Sequence, residues 1–152
     1  MPPNFASIAL IVAAVFCIVE LALTAYIANS LGSVVLGYRF NLPRVNFMIF
    51  NSVWSLLVLA YVGLSPLYFP RMSHKLVATG LNCATAIFWF AGSIALAVIA
   101  RVGLWGGGGG AWGAATAFGF FLWIIFTFLA VLGVLEARGT SSTAKTPSTA
   151  PA

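Results

Sequence analysis

Glu20 is the side chain whose type and position raise the first chemical question, because it is the only charge in an apolar run over residues 5–28. It lies about four positions past the middle of that run, where a bare carboxylate costs at least about 2 to 3 kcal/mol in hydrocarbon. Such a group turns away from lipid and toward a partner on another helix. Cys17 and Thr24, three and four residues away, share its helical stripe and mark that stripe as the inward one. The candidate partners are Asn51, Asn82, Ser93 and Trp89. The functional reading of this constellation is a proton or lipid-headgroup site. The plainer reading is one polar contact that fixes how the helices pack.

No other residue pattern supports reaction chemistry. The single histidine, His74, stands between Ser73 and Lys75 with no carboxylate nearby, which fits a solvated or headgroup-facing side chain rather than a catalyst. No nucleophile and base are paired, and His, Cys, Asp and Glu never fall at metal-ligand spacing, so neither an enzyme nor a cofactor is expected. Cys17 and Cys83 both sit in apolar runs and are read as small packing residues, not as a disulfide or a metal site. Five consecutive glycines, 106–110, lead into Ala111-Trp112 where a phosphate-cradling loop needs Lys and then Ser or Thr. The run is read as a flexible linker.

The elements that must position Glu20 follow from composition. The chain has 152 residues, of which 62% are hydrophobic and 6% charged, against about 25% charged in an ordinary soluble domain. So few charges cannot coat a water-soluble globule; lipid must be the solvent for most of the surface. A bilayer core of roughly 30 Å takes about 20 residues per helix, which caps the spans at about five. Four are legible, at about 5–28, 45–64, 76–100 and 112–135, within one domain over 1–138. Pro66 and Pro70 are expected to end the second, since proline lacks the donor a helix interior needs. The first is too long for the core of a signal peptide and no Lys or Arg precedes it, so it is expected to persist as a membrane helix.

The net charge of +5 comes from basic residues scattered singly between the apolar runs, a pattern of membrane topology rather than of nucleic-acid binding. The termini and second connection carry Arg71, Lys75, Arg138 and Lys145; the opposite side carries Arg39, Arg44 and Arg101. That bias, with the short connections, places both termini in the cytosol. Residues 139–152 are Thr, Ser, Ala, Pro and one Lys, too poor in apolar surface to fold, and are expected to form a disordered cytosolic tail. Thr146 and Ser148 are its phosphorylation candidates, set against the plainer reading of a solubilising end.

Two rows of the third span predict packing. Thr79, Asn82, Ala86, Trp89 and Ser93 follow spacings of three and four, an interhelical seam. Gly80, Ala84, Ala91 and Ala95, with Gly92 beside them, supply small residues that let backbones approach in lipid, which makes this span the expected centre of the bundle. In the fourth span Ala115 and Gly119 repeat the small-residue spacing, and Phe118, Phe120, Phe121, Trp123 and Phe128 suggest an aromatic, lipid-facing side.

The segment Arg44-Val45-Asn46-Phe47, opening the second span, and the string LNCATAIFWFAGSIALA over 81–97 resemble fungal MARVEL-domain proteins. The resemblance covers about residues 5–138 and implies an all-α, four-helix integral membrane bundle with short loops and cytosolic termini. It also implies a part in membrane apposition, vesicle traffic or lateral microdomains, as in the non-classical export proteins of eisosomes, plasma-membrane furrows rich in sterol and sphingolipid. Asn82 stands where those relatives often carry Asp, and the tail lacks their basic cluster.

The expected function is therefore that of a non-enzymatic tetraspan of the plasma membrane. It organises or senses lateral domains through contact with sterol or sphingolipid and with further copies of itself or other membrane proteins, and it has no nucleic-acid partner. The rival is a small proton- or cation-coupled transporter or channel built on Glu20. Flux into liposomes, compared between wild type and Glu20→Gln, separates the two.

Overall fold

The computed structural model describes residues 3–33, 42–68, 72–103 and 109–143, all of them helical. The helices are α1 (Pro3–Ser33), α2 (Leu42–Tyr68), α3 (Met72–Gly103) and α4 (Gly109–Thr143). Their membrane-length apolar stretches are Phe5–Ser30, Pro43–Leu64, Lys75–Ile99 and Gly110–Gly139. At 1.5 Å per residue each is long enough to cross a hydrocarbon core of roughly 30 Å. Pro3 and Pro43 sit in first turns, where a missing backbone donor costs nothing. The all-α four-helix class is the one the apolar runs predict.

Each helix packs its backbone closely on two others, α1 on α2 and α4, α3 on α2 and α4, while the described diagonal helices meet only through side chains such as Met48 of α2, whose Cε reaches Gly119 of α4. The most extensive interface joins α3 to α4. Four sets of buried residues explain this ring. They are Ala13, Cys17, Glu20, Thr24 and Ile27 on α1, and Val45, Met48, Ser52, Ser55 and Leu59 on α2. On α3 they are Asn82, Ala86, Trp89, Ser93 and Leu96, and on α4 Ala115, Gly119, Leu122, Phe126 and Leu129. Every set steps by three and four residues, the repeat that keeps one seam facing its neighbours along a supercoiled bundle.

The seams are more polar than the exterior, which carries exposed Ile11, Ile18, Leu57, Ile87 and Phe121. That inversion suits a molecule whose outer solvent is hydrocarbon. Several of the hydroxyls bond back to their own helix. Thr24 Oγ1 donates to the Glu20 carbonyl at 2.8 Å, Thr85 Oγ1 to Leu81 at 2.7 Å and Thr127 Oγ1 to Trp123 at 2.7 Å.

Several expectations change in detail. Helix α2 runs two residues past Pro66, and α4 continues to Thr143, so residues 139–143 of the expected tail are helical. Residues 144–152, with Thr146 and Ser148, lie outside the described residues, as do 106–108 of the glycine run. Gly109 and Gly110 are not linker but the first turn of α4.

The bundle has no single central helix, because the described backbones of α3 and α1 lie on opposite corners of the ring and do not pack closely on each other. The small-residue row of α3 faces outward: Gly80 and Ala91 are exposed, Ala84 and Ala95 partly so. The aromatic side of α4 divides. Phe121 and Phe128 are exposed, whereas Phe118 meets Phe16 edge-on at 5.2 Å and Trp123 packs on Phe90 at 5.2 Å. Phe118, Phe120 and Trp123 are half-buried. Rings on a helix between two neighbours reach sideways to other rings as readily as outward to lipid.

Candidate functional site

Glu20 is fully buried, and neither carboxyl oxygen has a hydrogen-bond partner among the described residues. Its level in the bundle follows from the next turn. Cys17 lies beside Ser55 of α2, one turn before Glu20 on its own helix. Since α1 and α2 are consecutive spans and run antiparallel, one turn forward from Cys17 to Glu20 matches one turn back from Ser55 to Asn51 and Ser52.

The α3 and α4 members of that level are fixed by close approach. Asn51 Nδ2 lies 3.7 Å from where a Cβ on Gly92 would stand, and Met48 Sδ lies 2.6 Å from the same point. Ser93 follows Gly92, and its Oγ would be only 2.5 Å from a Cβ on Gly119. Thr79 touches Gly133 in the same way, fourteen residues away on each helix, so one antiparallel register serves the whole α3–α4 seam. By this register Glu20 falls level with Asn51 and Ser52 to within about a turn, and Ser93 and Gly119 fall beside Asn51 and Met48, so these residues make up one layer of the bundle.

In that layer the side-chain atoms of Asn51 and the Ser93 hydroxyl, like the Glu20 oxygens, have no hydrogen-bond partner among the described residues. Ser52 differs, since its Oγ donates to the Met48 carbonyl at 3.0 Å. Unpaired buried polar groups are costly and rare in folded proteins, and here three helices aim them at one level.

The adjacent layer is satisfied. Trp89, the largest fully buried side chain, donates its indole N–H to Ser55 Oγ at 2.8 Å, and Ser55 donates to the Asn51 carbonyl at 2.7 Å. Trp54 makes a second α2–α3 tie, donating to Thr85 Oγ1 at 3.3 Å.

Of the partners expected for Glu20, the structure brings Asn51 and Ser93 to its level and sends the other two elsewhere. Trp89 is committed to Ser55. Asn82 is buried with an unpaired Oδ1, but it lies eleven residues before Ser93, roughly 16 Å along α3. Gly92 is buried against Met48, while Gly80 and Ala91 face out. Sequence reasoning missed Ser52 and Ser55, although their spacing with Met48 and Leu59 is the same three-and-four repeat that singled out α3. Cys17 is buried and Cys83 exposed, both as free thiols.

The described basic side chains, Arg44, Lys75 and Arg138, are exposed near the helix ends, away from this layer. Among the described residues no three His, Cys, Asp or Glu side chains gather to hold a metal. The layer is thus a neutral-walled set of oxygen donors around one carboxyl.

The MARVEL membrane-associating domain matches residues 4–132, a stretch that takes in α1, α2, α3 and most of α4. No curated protein and no solved structure matches the chain. A match over most of the sequence, laid on four membrane-length helices in ring order, shows that the chain belongs to the MARVEL family of membrane-associating domains.

Proposed function

We propose that the protein organises lateral regions of the plasma membrane by associating with further copies of itself and by gathering sterol or sphingolipid, with both termini in the cytosol. The observation that carries this reading is the outer face of α3. Its inner seam is filled by α2 and α4, yet Gly80, Ala84 and Ala91 continue a small-residue repeat on the side that the bundle leaves uncovered. In lipid no hydrophobic force draws helices together, and association relies on close backbone approach at small residues. Beside this row runs an apolar groove of about 500 Å³ between α3 and α4, lined by Cys83, Ile87, Phe90, Trp123 and Val131 among others. Its greasy walls suit an acyl chain or a flat sterol ring.

The test uses Cys83, an exposed thiol next to the row, while Cys17 is buried. In reconstituted vesicles, oxidative crosslinking through Cys83 is expected to give dimers whose yield falls severalfold in Gly80→Leu. Gly80 is exposed and a Cβ there meets nothing within 4 Å, so the variant is expected to keep the fold of the single copy. Protein that stays monomeric, and that spreads evenly between sterol-rich and sterol-poor regions, overturns the reading.

A further inference from the structure

The Glu20 layer poses a charge problem that the bundle does not solve by itself. A carboxyl at this depth is ionised only beside a compensating positive charge, and no described basic side chain reaches it. Glu20, Asn51 and Ser93 are each fully buried, come from α1, α2 and α3, and leave five polar side-chain atoms unpaired among the described residues. Helix α4 contributes Gly119, which adds no donor but lets Ser93 sit hard against its backbone.

We propose that this layer is an internal binding site for one small monovalent cation of the lithium or sodium class. The Glu20 carboxylate, the Asn51 carboxamide oxygen and the Ser93 hydroxyl serve as ligands. All are hard oxygen donors, the kind that alkali and alkaline-earth ions take. One positive charge neutralises one carboxylate, whereas a divalent ion leaves a net charge in hydrocarbon, so the charge count selects a monovalent ion. The close packing of Met48 on Gly92 and of Ser93 on Gly119 selects a small one. If Glu20 enters this state from the carboxylic acid, the cation takes the place of the proton, which leaves the O–H bond for solvent. Bound, the ion joins three helices that otherwise meet here only through side-chain packing. Occupancy of the folded form alone therefore stabilises it.

The experiment is thermal unfolding of the full chain in detergent micelles, titrated with sodium chloride against choline chloride at equal ionic strength. The midpoint temperature is expected to climb by several degrees and saturate with sodium or lithium, and to stay flat with choline. Glu20→Gln is expected to remove the sodium dependence. Ser93→Ala, which subtracts one oxygen and is mild enough to fold, is expected to raise the half-saturating sodium concentration about tenfold, the scale of losing one supporting contact at a site. Identical sodium and choline curves in wild type overturn the proposal, as a site holding only a proton or a water gives that result. A sodium effect that survives unchanged in both variants overturns it too. Gly80→Leu is expected to keep the sodium effect, so failure of self-association and failure of this site are read separately.

Discussion

Leucine in place of Gly119 is expected to prevent α3 and α4 from closing on each other. A Cβ there already stands 2.5 Å from Ser93 Oγ, 3.5 Å from Ser93 Cβ and 3.6 Å from Met48 Cε, and leucine adds three carbons beyond it. Overfilling a packed core costs about 1–3 kcal/mol, and the upper end is expected at a seam where packing itself is the attraction. Alanine at the same position is milder, because the Ser93 hydroxyl has no bond to keep and can rotate away. At Gly133 even alanine collides: its Cβ meets Thr79 Oγ1 and lies 3.2 Å from both Thr79 Cβ and Cγ2. That threonine is β-branched, and its Oγ1 donates to the Lys75 carbonyl at 2.9 Å, so it yields poorly. Gly80→Ala, with open space around it, is expected to gain up to about 1 kcal/mol of helix propensity. Unfolding by denaturing detergent in mixed micelles gives the ranking, and a Gly133→Ala variant as stable as Gly80→Ala refutes it.

Trp89→Ala is the second large loss. Removing the largest fully buried side chain opens a void against α2 and α4 and leaves Ser55 Oγ without its donor. In a water-soluble core such a truncation costs about 3–5 kcal/mol, part of it transfer from water and part the cavity. In a bilayer the transfer part shrinks because the alternative solvent is apolar, and the cavity part remains. We expect a loss of about 2 kcal/mol or more, on the cavity share of that range. Trp89→Phe keeps most of the volume and isolates the hydrogen bond. With Ser55→Ala it forms a double-mutant cycle, expected to give a coupling of about 0.5–1.5 kcal/mol between α2 and α3. Zero coupling in that cycle removes the indole–hydroxyl bond as a tie between these helices.

The fold was legible because apolar runs of membrane length are the strongest single signal a sequence carries, and four of them stand between short polar connections. The inward stripe of α1 was legible for the same physical reason that makes it costly: Glu20 cannot face hydrocarbon, so Cys17 and Thr24 must turn inward with it. On α3 the polar members Asn82 and Ser93 oriented the seam likewise. The small-residue row of α3 was misplaced because Gly80 and Ala91 are as content against lipid as against a helix. In water an apolar stripe points to the core; in a bilayer it points nowhere. The contacts that hold α3 to α4, Ser93 on Gly119 and Thr79 on Gly133, depend on a register between two helices, which spacing along one helix cannot give. The Glu20 layer was half legible for that reason. Its members could be nominated singly, but separating Asn51 from Asn82 as a neighbour required knowing that Cys17 meets Ser55.

The hydroxyls that bond back to their own helices bear on how the chain enters a membrane. Thr24, Ser52, Ser55, Thr85, Thr116 and Thr127 each donate to a carbonyl four residues earlier, so the donor is satisfied within a single segment before any other helix is present. Such residues travel into lipid as nearly neutral cargo. Both Glu20 oxygens, both Asn51 side-chain polar atoms, the Asn82 Oδ1 and the Ser93 hydroxyl have no such local remedy among the described residues, and the cost of insertion concentrates on them. Glu20 and Asn51 ride on consecutive segments and are brought near one level once α1 and α2 pair. Pairing of α1 with α2 thus shields from lipid two of the groups that it tolerates least.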